Sequence, residues 1–127
     1  MRILLDTHVF IWAVIDDPQL TSDARVLIEE ADGVYVSSAS IWEIAIKSAL
    51  GKIDADALEM AQAIKASGFL ELSISTAHSA QVAKLPLLNN HKDPFDRLLV
   101  AQSMIEPLVL LTADPQVVAY GGLTRAV

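Results

Sequence analysis

Apolar positions along this chain fall into two kinds of run. Ile3-Leu4-Leu5, Val34-Tyr35-Val36, Phe69 to Leu72 and Leu108 to Leu111 are short and continuous, as strands buried on both faces are, and Leu123 to Ala126 is a weaker fifth. Between them the spacing turns helical. Thr7 to Ile15 is a helix closed by Asp16-Asp17-Pro18, and Ser22 caps a second in which Ala24, Leu27, Ile28 and Ala31 share a face until Gly33 stops it. Ile41, Ile44, Ala45 and Ala49 mark a helix ending at Gly51, and Ala57, Met60, Ala61 and Ile64 one ending at Gly68. Ser75 caps a short helix to Leu85, residues 89–92 are a loop, and Asp93-Pro94 opens a helix with a cap residue and Pro at its first position. In that helix Leu98-Leu99-Val100-Ala101 is apolar most of the way round, which predicts burial on more than one side, against the sheet and a second subunit.

Short apolar strands alternating with helices predict an α/β fold, a single domain over residues 1–127 with a central parallel sheet of four to five short strands flanked by helices. In such a sheet, ligands sit beyond the carboxyl ends of the strands. Asp6 follows the first strand directly and Asp114 lies just past the fourth, while Glu43 and Asp96 each stand near the start of a helix rising from that same edge. Four acids from four distant stretches are thereby directed to one place.

Composition narrows what such a place can do. Hydrophobic residues make up 53% and charged residues 20%, too apolar for a disordered chain, and the absence of cysteine excludes disulfides, thiolate metal sites and a Cys nucleophile. No apolar run approaches the ~20 residues of a membrane span, and Asp6 and His8 interrupt the N-terminus too early for a signal peptide, so a cytoplasmic protein with no membrane partner is expected. The net charge of −7 opposes non-specific adhesion to nucleic acid, unless the acids are gathered around cations.

Each acid also has a purely structural account. Ser40 and Glu43 fit a capping box, Glu43 could pair with Lys47 one turn on, Asp93 and Asp96 suit a helix N-terminus, and Asp114-Pro115 reads as a turn. Asp6 resists such an account, because a carboxylate between an apolar strand and an apolar helix is a costly place for a charge. Four carboxylates together repel one another, and hard cations such as Mg²⁺ or Mn²⁺, which prefer oxygen ligands, relieve that repulsion. Oxygen-only sites of this kind activate water and clamp phosphate oxygens.

Leu4-Leu5-Asp6-Thr7-His8, Val36-Ser37 with Ser40-Ile41-Trp42-Glu43-Ile44, His91-Lys92-Asp93-Pro94-Phe95-Asp96-Arg97 running on to Gln102, and Leu111-Thr112-Ala113-Asp114 resemble, in order, the four motifs of PIN-domain proteins, and most of all the VapC-type toxin ribonucleases of bacterial toxin–antitoxin pairs. The likeness runs from Leu4 to Tyr120, with Asp93 to Arg97 its most specific piece. It implies that Asp6, Glu43, Asp96 and Asp114 are the catalytic, metal-holding acids of a Mg²⁺ site, with Mn²⁺ able to substitute. Asp6 and Asp96 match the principal ligands, and Thr7 and Thr112 match hydroxyls that order the shell. It further implies an RNA substrate, a small cognate antitoxin and a homodimer. Metal-assisted hydrolysis, in which a metal-bound water attacks phosphorus, would leave a 5′-phosphate and a 3′-hydroxyl.

Rival readings attach to the remaining residues. His8 and His91 flank the acidic motifs and could cleave RNA without metal by acid–base chemistry. Arg97, Lys92, Lys47 and Lys52 could meet phosphates, or Arg97 could pair with a nearby acid and the lysines be solvated; His78 reads as a surface or boundary residue, and Trp12 and Trp42 as packing rather than base-stacking groups. A receiver-type module would need an Asp at the end of the third strand, where Leu72 runs into Ser73. A catalytically silent PIN-like binding or regulatory protein is the alternative to the nuclease, and DNA is the alternative substrate.

Overall fold

In the computed structural model, which describes residues 1–127, the alternating pattern resolves into five strands and seven helices. They follow as β1 (Arg2–Leu5), α1 (Thr7–Ile15), α2 (Ser22–Glu30), β2 (Gly33–Ser37), α3 (Ser38–Ala49), α4 (Ala57–Ala66), β3 (Leu70–Leu72), α5 (Thr76–Gln81), α6 (Pro94–Ile105), β4 (Val109–Thr112), α7 (Pro115–Val118) and β5 (Thr124–Ala126). Single 3₁₀ turns occupy Val82–Lys84 and Leu88–Asn90.

The sheet runs β3-β2-β1-β4-β5 with every pairing parallel. The chain builds outward from β1 to β3, then returns to lay β4 and β5 on the other side. The direction reverses between β1 and β4, where the segments leaving the two strands diverge and open a crevice.

Strand side chains alternate between the two faces. Ile3, Leu5 and Leu111 join Phe10, Ile44, Met60 and Ile64 in one core, while Leu4 and Leu110 join Leu99, Val100, Ala101 and Val117 in the other. The strand residues Ile3, Leu4, Leu5, Leu110 and Leu111 are wholly buried, each contributing about 1.5–3 kcal/mol of transfer free energy. In α6, Leu99, Val100 and Ala101 are buried and Leu98 half-buried. No helix is long and apolar enough to cross a membrane.

Several helix ends differ from the expectation. Thr21, not Ser22, caps α2, because the Thr21 hydroxyl reaches the Ala24 N–H at 3.2 Å while Ser22 is already helical. That helix ends at Glu30, and Gly33 belongs to β2, paired with Arg2. Ser37 caps α3 through the Ala39 N–H, so α3 starts before Ser40 and the Ser40–Glu43 capping box does not form. At the end of α1, Asp16 takes the left-handed conformation (φ 56°) and Asp17 N–H donates back to Trp12, which turns the chain without a glycine.

His78 is buried rather than at the surface. Its Nδ1 accepts from the Ser75 N–H at 2.9 Å and its Nε2 meets Glu106 at 2.7 Å, so both nitrogens of the buried ring are satisfied.

Candidate acidic active site

Asp6 is the first residue past β1 and the N-cap of α1. Its N–H continues the ladder to the Leu111 carbonyl at 3.0 Å, which fixes the backbone against β4. Its Oδ1 accepts from the His8 N–H at 3.1 Å, and Thr112, the last residue of β4, donates its hydroxyl to Oδ2 at 2.6 Å. Only 5% of the residue is exposed. Burial pushes its pKa up, although the Thr112 and His8 hydrogen bonds pull the other way.

Glu43 lies in the second turn of α3 and is as deeply buried. Thr7 Oγ1 sits 2.6 Å from its Oε1 and 2.9 Å from Ser40 Oγ. A hydroxyl has one hydrogen; here it goes to the carboxylate, and Ser40 donates to Thr7 in turn. Lys47, one turn further along α3, bonds Glu43 Oε2 and stands 3.6 Å from Asp93 Oδ2. Burial acts to lower the Lys47 pKa, but the hydrogen bond and charge of Glu43, with Asp93 and Asp96 behind it, raise it overall. The expected i, i+4 pair is therefore present, and it carries a cation into the cleft.

Asp96 occupies the third position of α6, where its N–H donates to the cap residue Asp93 at 2.9 Å. Its Oδ2 lies 3.0 Å from His91 Nε2. Burial first, then the charges of Asp93 and Asp6, push its pKa up to about 7 against the His91 hydrogen bond. Asp114 lies two residues past β4 and is half-buried; rather than only making a turn, it caps α7 by accepting from the Gln116 N–H at 2.9 Å.

All four expected acids line one open cleft of about 370 Å³, together with Asp93, Lys47, His8, His91, Trp12 and Gln116. The crevice at the sheet's reversal point is thus the acidic one. No three of its His, Asp and Glu side chains are already drawn close enough to hold a metal ion. The donor set nonetheless fits a hard divalent cation, being rich in carboxylate oxygen, and two of its acids have raised pKa values, through burial first and neighbouring carboxylates after it.

The other residues sort by contact. His8 is exposed and tilts against Trp12 with ring centres 6.2 Å apart, whereas His91 is buried with both ring nitrogens engaged, Nδ1 by Tyr120 at 3.0 Å. Arg97 pairs with no acid and does not line the cleft: it donates to the Pro86 carbonyl at 2.8 Å and to Tyr120 Oη at 2.9 Å. Trp42 packs edge-on against Phe95 at 5.0 Å yet remains 56% exposed. Sequence reasoning gave no role to Tyr120 or Gln116, whose places at the site come from α7 folding back beside α6.

The fold and site together define an α/β domain: a doubly covered parallel sheet with an acidic cleft at its reversal point. Residues 3–123 match the family model for the PIN domain, and the chain belongs to that family. No curated protein matches the chain. Among solved structures, it is similar to a chain of VapBC2 from Rickettsia felis bound to a DNA fragment from their promoter, at TM-score 0.70 and 14% identity over 99% of this chain and 98% of that one. A toxin–antitoxin complex from Klebsiella pneumoniae gives TM-score 0.67 at 18% identity over 97% and 95%, and DNA-bound VapBC from Salmonella typhimurium 0.68 at 14% over 100% and 97%.

Proposed function

We propose that this chain is a Mg²⁺-dependent endoribonuclease, the VapC-type toxin of a toxin–antitoxin pair, with Asp6, Glu43, Asp96 and Asp114 as its catalytic and metal-holding acids. The observation that carries the reading is the meeting of these four carboxylates, from four separate stretches of chain, in one cleft at the sheet's reversal point. A divalent cation bound there would supply Lewis-acid stabilisation of a phosphodiester oxygen and lower the pKa of water at neutral pH. The chain's own part is positional. Thr112 and Thr7 hold Asp6 and Glu43 from behind, Asp93 holds the first turn of α6 so that Asp96 faces them, and the buried walls keep the carboxylates poorly solvated until charge arrives.

The similarity to VapBC and other toxin–antitoxin structures supports a small antitoxin as partner and cytoplasmic action. Trp42, Ile46 and Leu50, spaced one helical turn apart on the exposed face of α3 and its C-cap, support association with that partner or with a second copy in a homodimer. The Lys47–Glu43 pair favours a second reading, a catalytically silent PIN-like binding protein whose acids are already partly neutralised.

The deciding experiment is cleavage of a total-RNA pool by the purified, antitoxin-free chain in Mg²⁺, Mn²⁺ or EDTA, with Asp96→Asn alongside. Discrete cuts bearing 5′-phosphates, lost in both EDTA and the variant, are expected. Cleavage that survives EDTA, or ends in 2′,3′-cyclic phosphates, refutes the metal route, and no cleavage of RNA in any condition supports the silent protein.

A further inference from the structure

Behind Asp96 runs a chain of hydrogen bonds that the four acids do not account for. Arg97 Nη1 lies 2.9 Å from Tyr120 Oη, Tyr120 Oη lies 3.0 Å from His91 Nδ1, and His91 Nε2 lies 3.0 Å from Asp96 Oδ2. Its direction follows from which groups can donate. A guanidinium only donates, so Tyr120 accepts from Arg97. Tyr120 Oη has room for a second donor, but the ionised Asp96 carboxylate at Nε2 only accepts, so Nδ1 is the unprotonated nitrogen and takes the hydroxyl's single hydrogen. The proton of a neutral His91 therefore resides on Nε2, aimed at Asp96.

We propose that Arg97 and Tyr120 select the Nε2–H form of His91, and that His91 is thereby a positioning residue that fixes Asp96. With Oδ2 held from behind, Oδ1 takes no hydrogen bond from the protein and is left to the cleft. Two further observations support a dedicated role. His91 is only 6% exposed, although its segment joins two helices at the surface. The two residues before it, Asn89 (φ 47°) and Asn90 (φ 59°), both take left-handed backbone, which asparagine tolerates better than most residues but which still costs free energy. Arg97 in turn is pinned by the Pro86 carbonyl, so the far end of the relay is anchored to the chain that leads into this turn.

The inference rests on the proposed metal site for its purpose, though not for its geometry. Its first test is nitrogen-15 NMR of the imidazoles in the metal-free full chain at pH 8, where an unperturbed histidine is neutral. His91 is expected as the Nε2–H tautomer, and Tyr120→Phe as a mixture; an Nδ1–H tautomer in the natural chain, or one unchanged by Tyr120→Phe, overturns the relay. Its second test is Mn²⁺ affinity by calorimetry. Tyr120→Phe and His91→Leu are expected to weaken binding about 10- to 100-fold, as loss of groups supporting metal ligands does. His91→Gln, which places an amide N–H where Nε2–H stood, should recover most of it. Equal affinity in His91→Leu and His91→Gln assigns His91 to packing alone and refutes positioning. Failure of the natural chain to bind Mn²⁺ while its NMR signature stands refutes the metal reading and with it the purpose of the relay, leaving the hydrogen-bond direction intact.

Discussion

Replacing Asp96 by Asn should stabilise the metal-free protein, and the gain should grow with pH. The Asp96 carboxyl retains its proton to about pH 7 in the folded chain against 3.8 for the ordinary group, because it is buried beside Asp93 and Asp6. A raised acid pKa means the folded state binds the proton more tightly than the unfolded one. No penalty exists below about pH 4; it accumulates as pH rises toward 7 and is constant above. At about 1.4 kcal/mol per pH unit the full penalty is roughly 4 kcal/mol, and solvent on the open side of the cleft trims it to about 2–4 kcal/mol. Asn keeps the oxygen that His91 bonds and cannot ionise, so it escapes the penalty. Urea titrations of both proteins from about pH 4.5 to 8.5 in EDTA should show the variant gaining about 2–3 kcal/mol over that range, flat above about pH 7.5. By the same linkage, Mg²⁺ at about a hundred times its Kd should stabilise the natural chain at pH 8 by about 2.7 kcal/mol. A stability difference independent of pH would refute the account, since it would show that the charge on Asp96 is not what the fold resists.

Lys47→Met should cost about 2–4 kcal/mol at pH 8 by leaving the buried Glu43 without its cation, and Lys47→Met combined with Glu43→Gln should recover most of it in the same urea titrations. Asp93→Ala removes the cap of α6 and should cost about 1 kcal/mol; because Asp93 is the charge that most raises the Asp96 pKa, it should also flatten the pH-dependent gain of Asp96→Asn, read in a double-mutant cycle.

The fold was legible in the sequence because its signals are local and strong. Ile3-Leu4-Leu5 or Leu108 to Leu111 must be buried on both faces wherever they pair, and stretches carrying apolar groups at helical spacing between such strands leave little choice but a covered parallel sheet. Asp6, Glu43, Asp96 and Asp114 were legible for a related reason: strand ends and the helix starts that follow them share one edge of such a sheet, so position along the chain predicts position in space. Helix starts were less so. The hydroxyls of Thr21 and Ser22, or of Ser37 and Ser40, are chemically equivalent, and only the backbone angles decide which one meets an unpaired N–H.

What the tertiary structure alone decided are the contacts between elements far apart in sequence. His78 is surrounded by residues that carry no hint of its burial, and becomes a core group only because α5 packs on α6 and Glu106 comes within reach. Tyr120 reaches His91 and Arg97 across 29 and 23 residues of chain, and Thr112 reaches Asp6 across 106. Hydrogen bonds act over about 3 Å, so no spacing along the chain encodes them. The sequence by itself determined which residues are acidic, where the strands end and hence where the acids gather. The packed chain decided how each carboxylate is held, which of them keeps its proton, and which histidine stands behind Asp96.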